Sequence, residues 1–188
     1  MLYLIIIACA MLVVAAVVSL FGKLAFFSAL GCTAFAVIIV VLVDGLTATV
    51  SRLLPASFAN SQKKIFTVSK KEKLFYEKLK IRKWKDKIPE IGHFTGFRKN
   101  KIVDPKSVEY VERFLMEACY GEIGHFTSCI TGFFTLLFFP LSPYWLAVAI
   151  PVATANVFLN LPSLFILRYN SYKLEILKKN NLKRNAVA

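Results

Sequence analysis

Long stretches without a charged side chain alternate with dense basic ones, and this alternation sets the architecture. Met1 to Phe21 and Leu24 to Val43 carry no Asp, Glu, Lys or Arg, and each is long enough for the roughly 20 residues a helix needs to cross the hydrocarbon. A third apolar run extends from Phe126 to about Leu141 and a fourth from Tyr144 to Leu167, with Ser142-Pro143 between them as a turn. The pattern predicts an all-α integral membrane protein with about four transmembrane helices, arranged as two hairpins. Pro151 and Pro162 fall inside the fourth run, where membrane helices tolerate them when neighbours satisfy the freed carbonyls. No Lys or Arg precedes the first run, which is also long for a signal-peptide core, so a retained span is expected there. Asp44, the one acid near the end of the second run, is expected at the interface rather than in a proton path.

Between the hairpins the pattern changes. From Ser57 to Lys87, lysines and arginines interleave with Ile65, Phe66, Leu74, Phe75, Leu79, Ile81 and Trp84. Ser69 and Glu72 have capping-box spacing, which predicts a helix from there to about Ile81. Leu74, Phe75 and Leu79 would share one face, and such a helix lies in the headgroup plane with Trp84 as an interfacial anchor. Gly96 to Lys101 is a basic, glycine-containing loop whose backbone can approach a phosphate. Asp104-Pro105 then opens a helix on which Val108, Val111, Phe114, Leu115 and Ala118 follow helical spacing. The domain boundaries expected are an N-terminal hairpin over 1–54, a basic interfacial segment over 55–120, a second hairpin over 121–170 and a basic tail over 171–188.

Composition supports this division, with 57% hydrophobic residues and a formal net charge of +13. Apart from Lys23, every Lys and Arg lies between Arg52 and Arg113 or between Arg168 and Arg184, so both basic regions and both termini are expected in the cytoplasm. A loop between membrane helices is basic on that ground alone, and no nucleic acid is expected as a partner; membrane lipids are. Cys9, Cys32, Cys119 and Cys129 form no Cys-x-x-Cys pair and read as packing residues.

Candidate chemistry comes from a repeat. Glu-Ile-Gly-His-Phe-Thr occurs at Glu90 to Thr95 and again at Glu122 to Thr127, and these copies hold both histidines of the chain. Helical spacing puts Glu122 and His125 on one face. An imidazole titrates near neutral pH, so His125 suits a general base and Glu122 can orient it or stabilise imidazolium.

The ordered set Arg82-Lys83-Trp84-Lys85, Glu90, Glu117, Glu122-Ile123-Gly124-His125, Asn160-Leu161-Pro162 and Arg168-Tyr169-Asn170 resembles the glycosyl-4,4'-diaponeurosporenoate acyltransferase family, over about Leu54 to Asn181. Tyr120 stands where the family commonly has a basic residue, and Phe126 follows the histidine in place of Trp. The resemblance implies a bacterial cell-membrane enzyme that moves a fatty acyl group onto a hydroxyl of a carotenoid glycoside or another glycosylated lipid. On that basis His125, Glu122 and His93 are the catalytic candidates. Arg82, Trp84, Lys85, Glu90, Arg98, Glu117, Asn160, Arg168, Tyr169 and Asn170 are the substrate-binding ones. The partners implied are an acyl donor, acyl-CoA or acyl carrier protein, and the glycosylated acceptor; no metal or other cofactor is expected. No serine or cysteine has the setting of a nucleophile, so direct attack by the acceptor is expected. Two other readings stay open: a metal-dependent membrane enzyme using both Glu-x-x-His pairs, and a lipid-binding scaffold without enzymatic activity.

Overall fold

A computed structural model describes residues 2–88, 102–138 and 145–186. The described residues contain helices and no strand: α1 (Leu2–Gly22), α2 (Phe26–Leu53), α3 (Lys70–Lys78), α4 (Ile81–Trp84) with a following 3-10 turn (Lys85–Lys87), α5 (Val108–Phe138) and α6 (Trp145–Asn185). Three helices are long and apolar enough to cross a membrane, Leu4–Gly22, Phe26–Leu53 and Trp145–Asn185. The expected turn at Ser142-Pro143 and the glycine-containing loop lie outside the described residues.

The two later helices are longer than the apolar runs that announced them. The amphipathic segment after Ser107 and the run from Phe126 form a single helix of 31 residues. Its start is fixed by side chains: the Asp104 carboxylate accepts from the Lys106 and Ser107 amides, each at 3.2 Å, and Ser107 Oγ accepts from Tyr110 N at 3.1 Å. These bonds satisfy amides that have no partner within the helix. At 41 residues, α6 includes both Pro151 and Pro162 and is about 60 Å long at 1.5 Å per residue, twice the hydrocarbon thickness.

The chain divides into two compact units. One comprises Met1–Val50 and Gly124–Leu161. Its core is largely alanine and valine (Ala15, Val18, Ala29, Ala36, Val40, Val148, Ala149, Val152, Ala153), with Leu136 and Trp145 as the bulky members. Small residues let helix backbones approach closely where lipid offers no competing hydrophobic drive. The Trp145 indole donates to the Leu136 carbonyl at 2.6 Å. Outside this core, Leu4, Leu20, Phe21, Phe27 and Leu42 are exposed, as suits side chains that face lipid. At Gly132 a Cβ would come 2.6 Å from Asn156 Nδ2, so a side chain there would displace the Asn156 amide.

The other unit comprises Ser51–Ile123 and Pro162–Ala188. The C-terminal part of α6 is built into it: Asn181 donates to the Pro105 carbonyl at 2.8 Å, Lys178 pairs with Glu112 at 2.9 Å, and Leu174 packs with Val111, Phe114 and Leu115. Gly121 makes the second close approach, since a Cβ there would lie 2.9 Å from Leu167 Cδ1.

The capping box forms as expected, with Ser69 Oγ accepting from Glu72 N at 3.1 Å, but the helix stops at Lys78 instead of reaching Ile81. Packing explains the break. In a straight helix Ile81 would point about 140° away from Tyr76, at 3.6 residues per turn. Lys80 instead takes the left-handed conformation, φ 54°, and the turn brings Ile81 into one cluster with Tyr76, Ile166 and Tyr169. Trp84 packs against that cluster and donates its indole N–H to the Leu79 carbonyl at 2.9 Å, while Leu74, Phe75 and Leu79 stay exposed.

Lys80→Gly should raise stability by up to about 1 kcal/mol by removing the left-handed penalty, and Lys80→Val should lower it by a similar amount. Ile81→Ala, at a position with no exposure, should cost about 2–5 kcal/mol. Thermal unfolding in detergent reads all three; a stabilising valine at position 80 would refute the strained turn.

Candidate active site

Each of three helices in the first unit carries a polar pair at helical spacing: Asp44 and Thr47 on α2, His125 and Ser128 on α5, Asn156 and Asn160 on α6. In apolar surroundings such groups must satisfy one another, and they do. Asn160 Nδ2 donates to Asp44 Oδ2 at 3.1 Å and to the backbone and side-chain oxygens of Asn156 at 3.1 and 2.9 Å. Asn156 Nδ2 donates to the Ser128 carbonyl at 3.2 Å and to Asp44 Oδ1 at 3.4 Å. The hydroxyls of Thr47 and Ser128 share a bond of 2.8 Å.

This arrangement assigns the donor in the bond to His125. A carboxylate and two carbonyl oxygens only accept, so the Asn160 NH2 must face them and its Oδ1 must face His125. Oδ1 lies 2.8 Å from His125 Nδ1, so Nδ1 donates there. An imidazole fixed at Nδ1 by an acceptor is the arrangement a general base requires.

A separate charged cluster organises the second unit. The Arg168 guanidinium grips both oxygens of Glu72, with Nη2 to Oε2 at 3.0 Å, and uses Nη1 for Glu122 Oε2 at 2.8 Å and the Ile65 carbonyl at 3.0 Å. Ser171 Oγ donates to the other Glu122 oxygen at 3.2 Å, and the Tyr76 hydroxyl donates to Glu72 at 2.6 Å. Glu122 is 4% exposed. One cation thus serves two carboxylates in a planar fork, a geometry lysine cannot reproduce.

Burial pushes the Glu122 carboxyl up to about 7, against the pull of Arg168 and Ser171. Burial also raises Glu72, but the bonds from Arg168 and Tyr76 outweigh it and hold that carboxyl below its ordinary value. Burial lifts the Cys119 thiol to about 12, which keeps it an un-ionised packing residue.

Other candidates from the sequence are distributed unevenly. His93, Glu90 and Arg98 lie outside the described residues. Arg82 is exposed and Lys85 pairs with Asp86 at 3.1 Å. Glu117 is 3.5 Å from Arg52. Tyr169 is buried, with its hydroxyl unpaired among the described residues and its ring 4.4 Å from Lys173 Nζ; Asn170 is half-buried. Glu122, expected to orient His125, gives its oxygens to Arg168 and Ser171, and Asn160 occupies the place beside Nδ1. Asp44, Asn156, Ser128, Glu72 and Ser171 were not among the sequence candidates. The signal for the first three was present, as polar residues repeating at helical spacing within apolar runs.

Glu122 gives a pH dependence of known sign. The ordinary value of its carboxyl is 4.5 and the folded value is about 7. Its contribution is intact below the lower figure and is lost as pH rises through the upper one, because the unfolded chain releases the proton first. Unfolding temperatures of Glu122→Gln should therefore lack a decline between pH 5 and 7.5 that the native chain shows. Parallel profiles for the two proteins would mean that Glu122 is ionised in the folded state.

No curated protein and no solved structure matches the chain. The family model for glycosyl-4,4'-diaponeurosporenoate acyltransferase matches residues 58–180, a stretch that includes His125, Asn160 and the whole Arg168 cluster. With well over half its length matched, the chain belongs to the glycosyl-4,4'-diaponeurosporenoate acyltransferase family.

Proposed function

We propose that the chain transfers a fatty acyl group from an activated donor to a hydroxyl of a carotenoid glycoside or related glycosylated lipid, with His125 as general base. Family membership supports the acyl transfer and the glycosylated carotenoid acceptor. The observation that supports the base assignment is the 2.8 Å bond between His125 Nδ1 and Asn160 Oδ1, which holds the ring in one orientation through Nδ1. In the proposed step Nε2 removes the acceptor hydroxyl proton as its oxygen bonds to the acyl carbon. The bond from that carbon to its carrier then breaks, and the imidazolium returns the proton to the leaving carrier group. Asn160 holds the ring, and Asp44 in turn holds the Asn160 amide. The exposed Arg82 and its basic neighbours take the anionic part of acyl-CoA or acyl carrier protein.

The membrane arrangement belongs to this proposal. The apolar run that begins at Phe126 in α5 supplies a fourth span, and both termini and residues 52–113 face the cytoplasm, as the distribution of Lys and Arg supports. A cysteine replacing Lys71 should resist an impermeant thiol reagent in intact bacteria and react after lysis. Labelling of intact cells would reverse the orientation.

His125→Ala should fold and lose about a hundredfold or more in transfer rate, while Asn160→Ala should lose about tenfold or more through a misdirected ring. Transfer of a labelled acyl group to a glycosylated acceptor, measured with both variants purified to the same monodisperse state, checks this. Full activity in His125→Ala would overturn His125 as the base, and no transfer by the native chain would favour the scaffold reading.

A further inference from the structure

An apolar cleft in the first unit ends at the same polar cluster. It has a volume of about 330 Å³ and is lined by residues 6–14 of α1, 33–44 of α2 and 152–159 of α6. All its lining side chains are apolar except Thr33, Asp44 and Asn156. Thr33 is internally satisfied, since Oγ1 donates to the Ala29 carbonyl at 2.7 Å. Polarity is therefore concentrated at one end, where Asp44 and Asn156 join the bonds leading through Asn160 to His125. Ile6, Val41 and Phe158 line the cleft and are themselves exposed, which opens it sideways.

We propose that this cleft seats the fatty acyl chain, admitted laterally from the bilayer, with its thioester or ester head at the Asp44 and Asn156 end. The assignment rests on the acyl-transfer reading above and identifies where that reaction's apolar substrate lies. Length selects the occupant. Thr33 and Asp44 are eleven residues apart on α2, about 16 Å of helix, which suits a flexible alkyl chain held at one end. A rigid polyene spanning roughly 30 Å of hydrocarbon is too long. Both α1 and α2 lie outside the stretch matched by the family model, so this chain's N-terminal hairpin supplies the chain site while α5 and α6 supply the base.

Photolabelling and turnover test the proposal separately. The full chain in lipid nanodiscs is irradiated with an N-acetylcysteamine thioester of a hexadecanoyl chain that ends in a diazirine. Label should concentrate on Met11, Thr33 and Val37 and be displaced in Val14→Phe, which fills the end remote from Asp44. Equal labelling of the lipid-facing Val13, Leu20 and Leu42, unchanged in the variant, would overturn the site. In transfer assays Val14→Phe should lose about tenfold or more with the hexadecanoyl thioester and keep most activity with the octanoyl one, whereas Ile150→Phe, outside the cleft lining, should change neither. Equal effects of Val14→Phe on both chains would also overturn it. Should Val14→Phe not fold, Val37→Phe fills the same end. Labelling confined to the cleft in a native chain that transfers neither group would sink the acyl-transfer reading and leave the binding site standing.

Discussion

A carboxylate set among apolar helices must be answered by hydrogen-bond donors, and the first unit is arranged around that requirement. The two donors Asp44 recruits are asparagine amides one turn apart on α6, and each amide has a carbonyl oxygen to place once its NH2 is committed. Asn156 directs its oxygen to Asn160, and Asn160 directs its own to His125. The imidazole is thus oriented by a succession of groups whose roles are forced by acceptor-only partners. Gly132 belongs to the same logic, because any side chain there would displace the Asn156 amide.

The second unit solves a different problem with the same economy of groups. Glu72, Glu122 and Arg168 come from three distant parts of the sequence, and one guanidinium holds α3, α5 and α6 together. Arg168 was expected among the substrate-binding residues. Two carboxylates on the fork make it a clamp in this structure. Arg82, by contrast, is exposed.

The long helices and the one after Ser69 were legible, since uncharged runs of membrane length, a capping box and an Asp-Pro start are local signals; the short helix α4 was not. Boundaries were less so. Nothing local marks the stop at Lys78, because Lys80 adopts a left-handed turn only to bury Ile81 with Tyr76. Likewise, residues beyond 170 read as a basic tail by composition, yet α6 continues to Asn185 with Leu174 in the core of its unit.

The sequence by itself determined that the chain is helical and rich in membrane-length segments and that it belongs with these acyltransferases, because residue type and order carry those properties. Tertiary structure alone decided which partner each polar group takes. Glu122 is three residues from His125 and shares its helix face, but a carboxylate goes where a guanidinium can reach it, and Arg168 comes from 46 positions away. Asp44 is 116 positions from Asn160 and joins the cluster because packing brings both asparagine amides of α6 within reach of its carboxyl. Hydrogen bonds between distant segments depend on where packing sets the helices, and that information is absent from any single stretch of sequence.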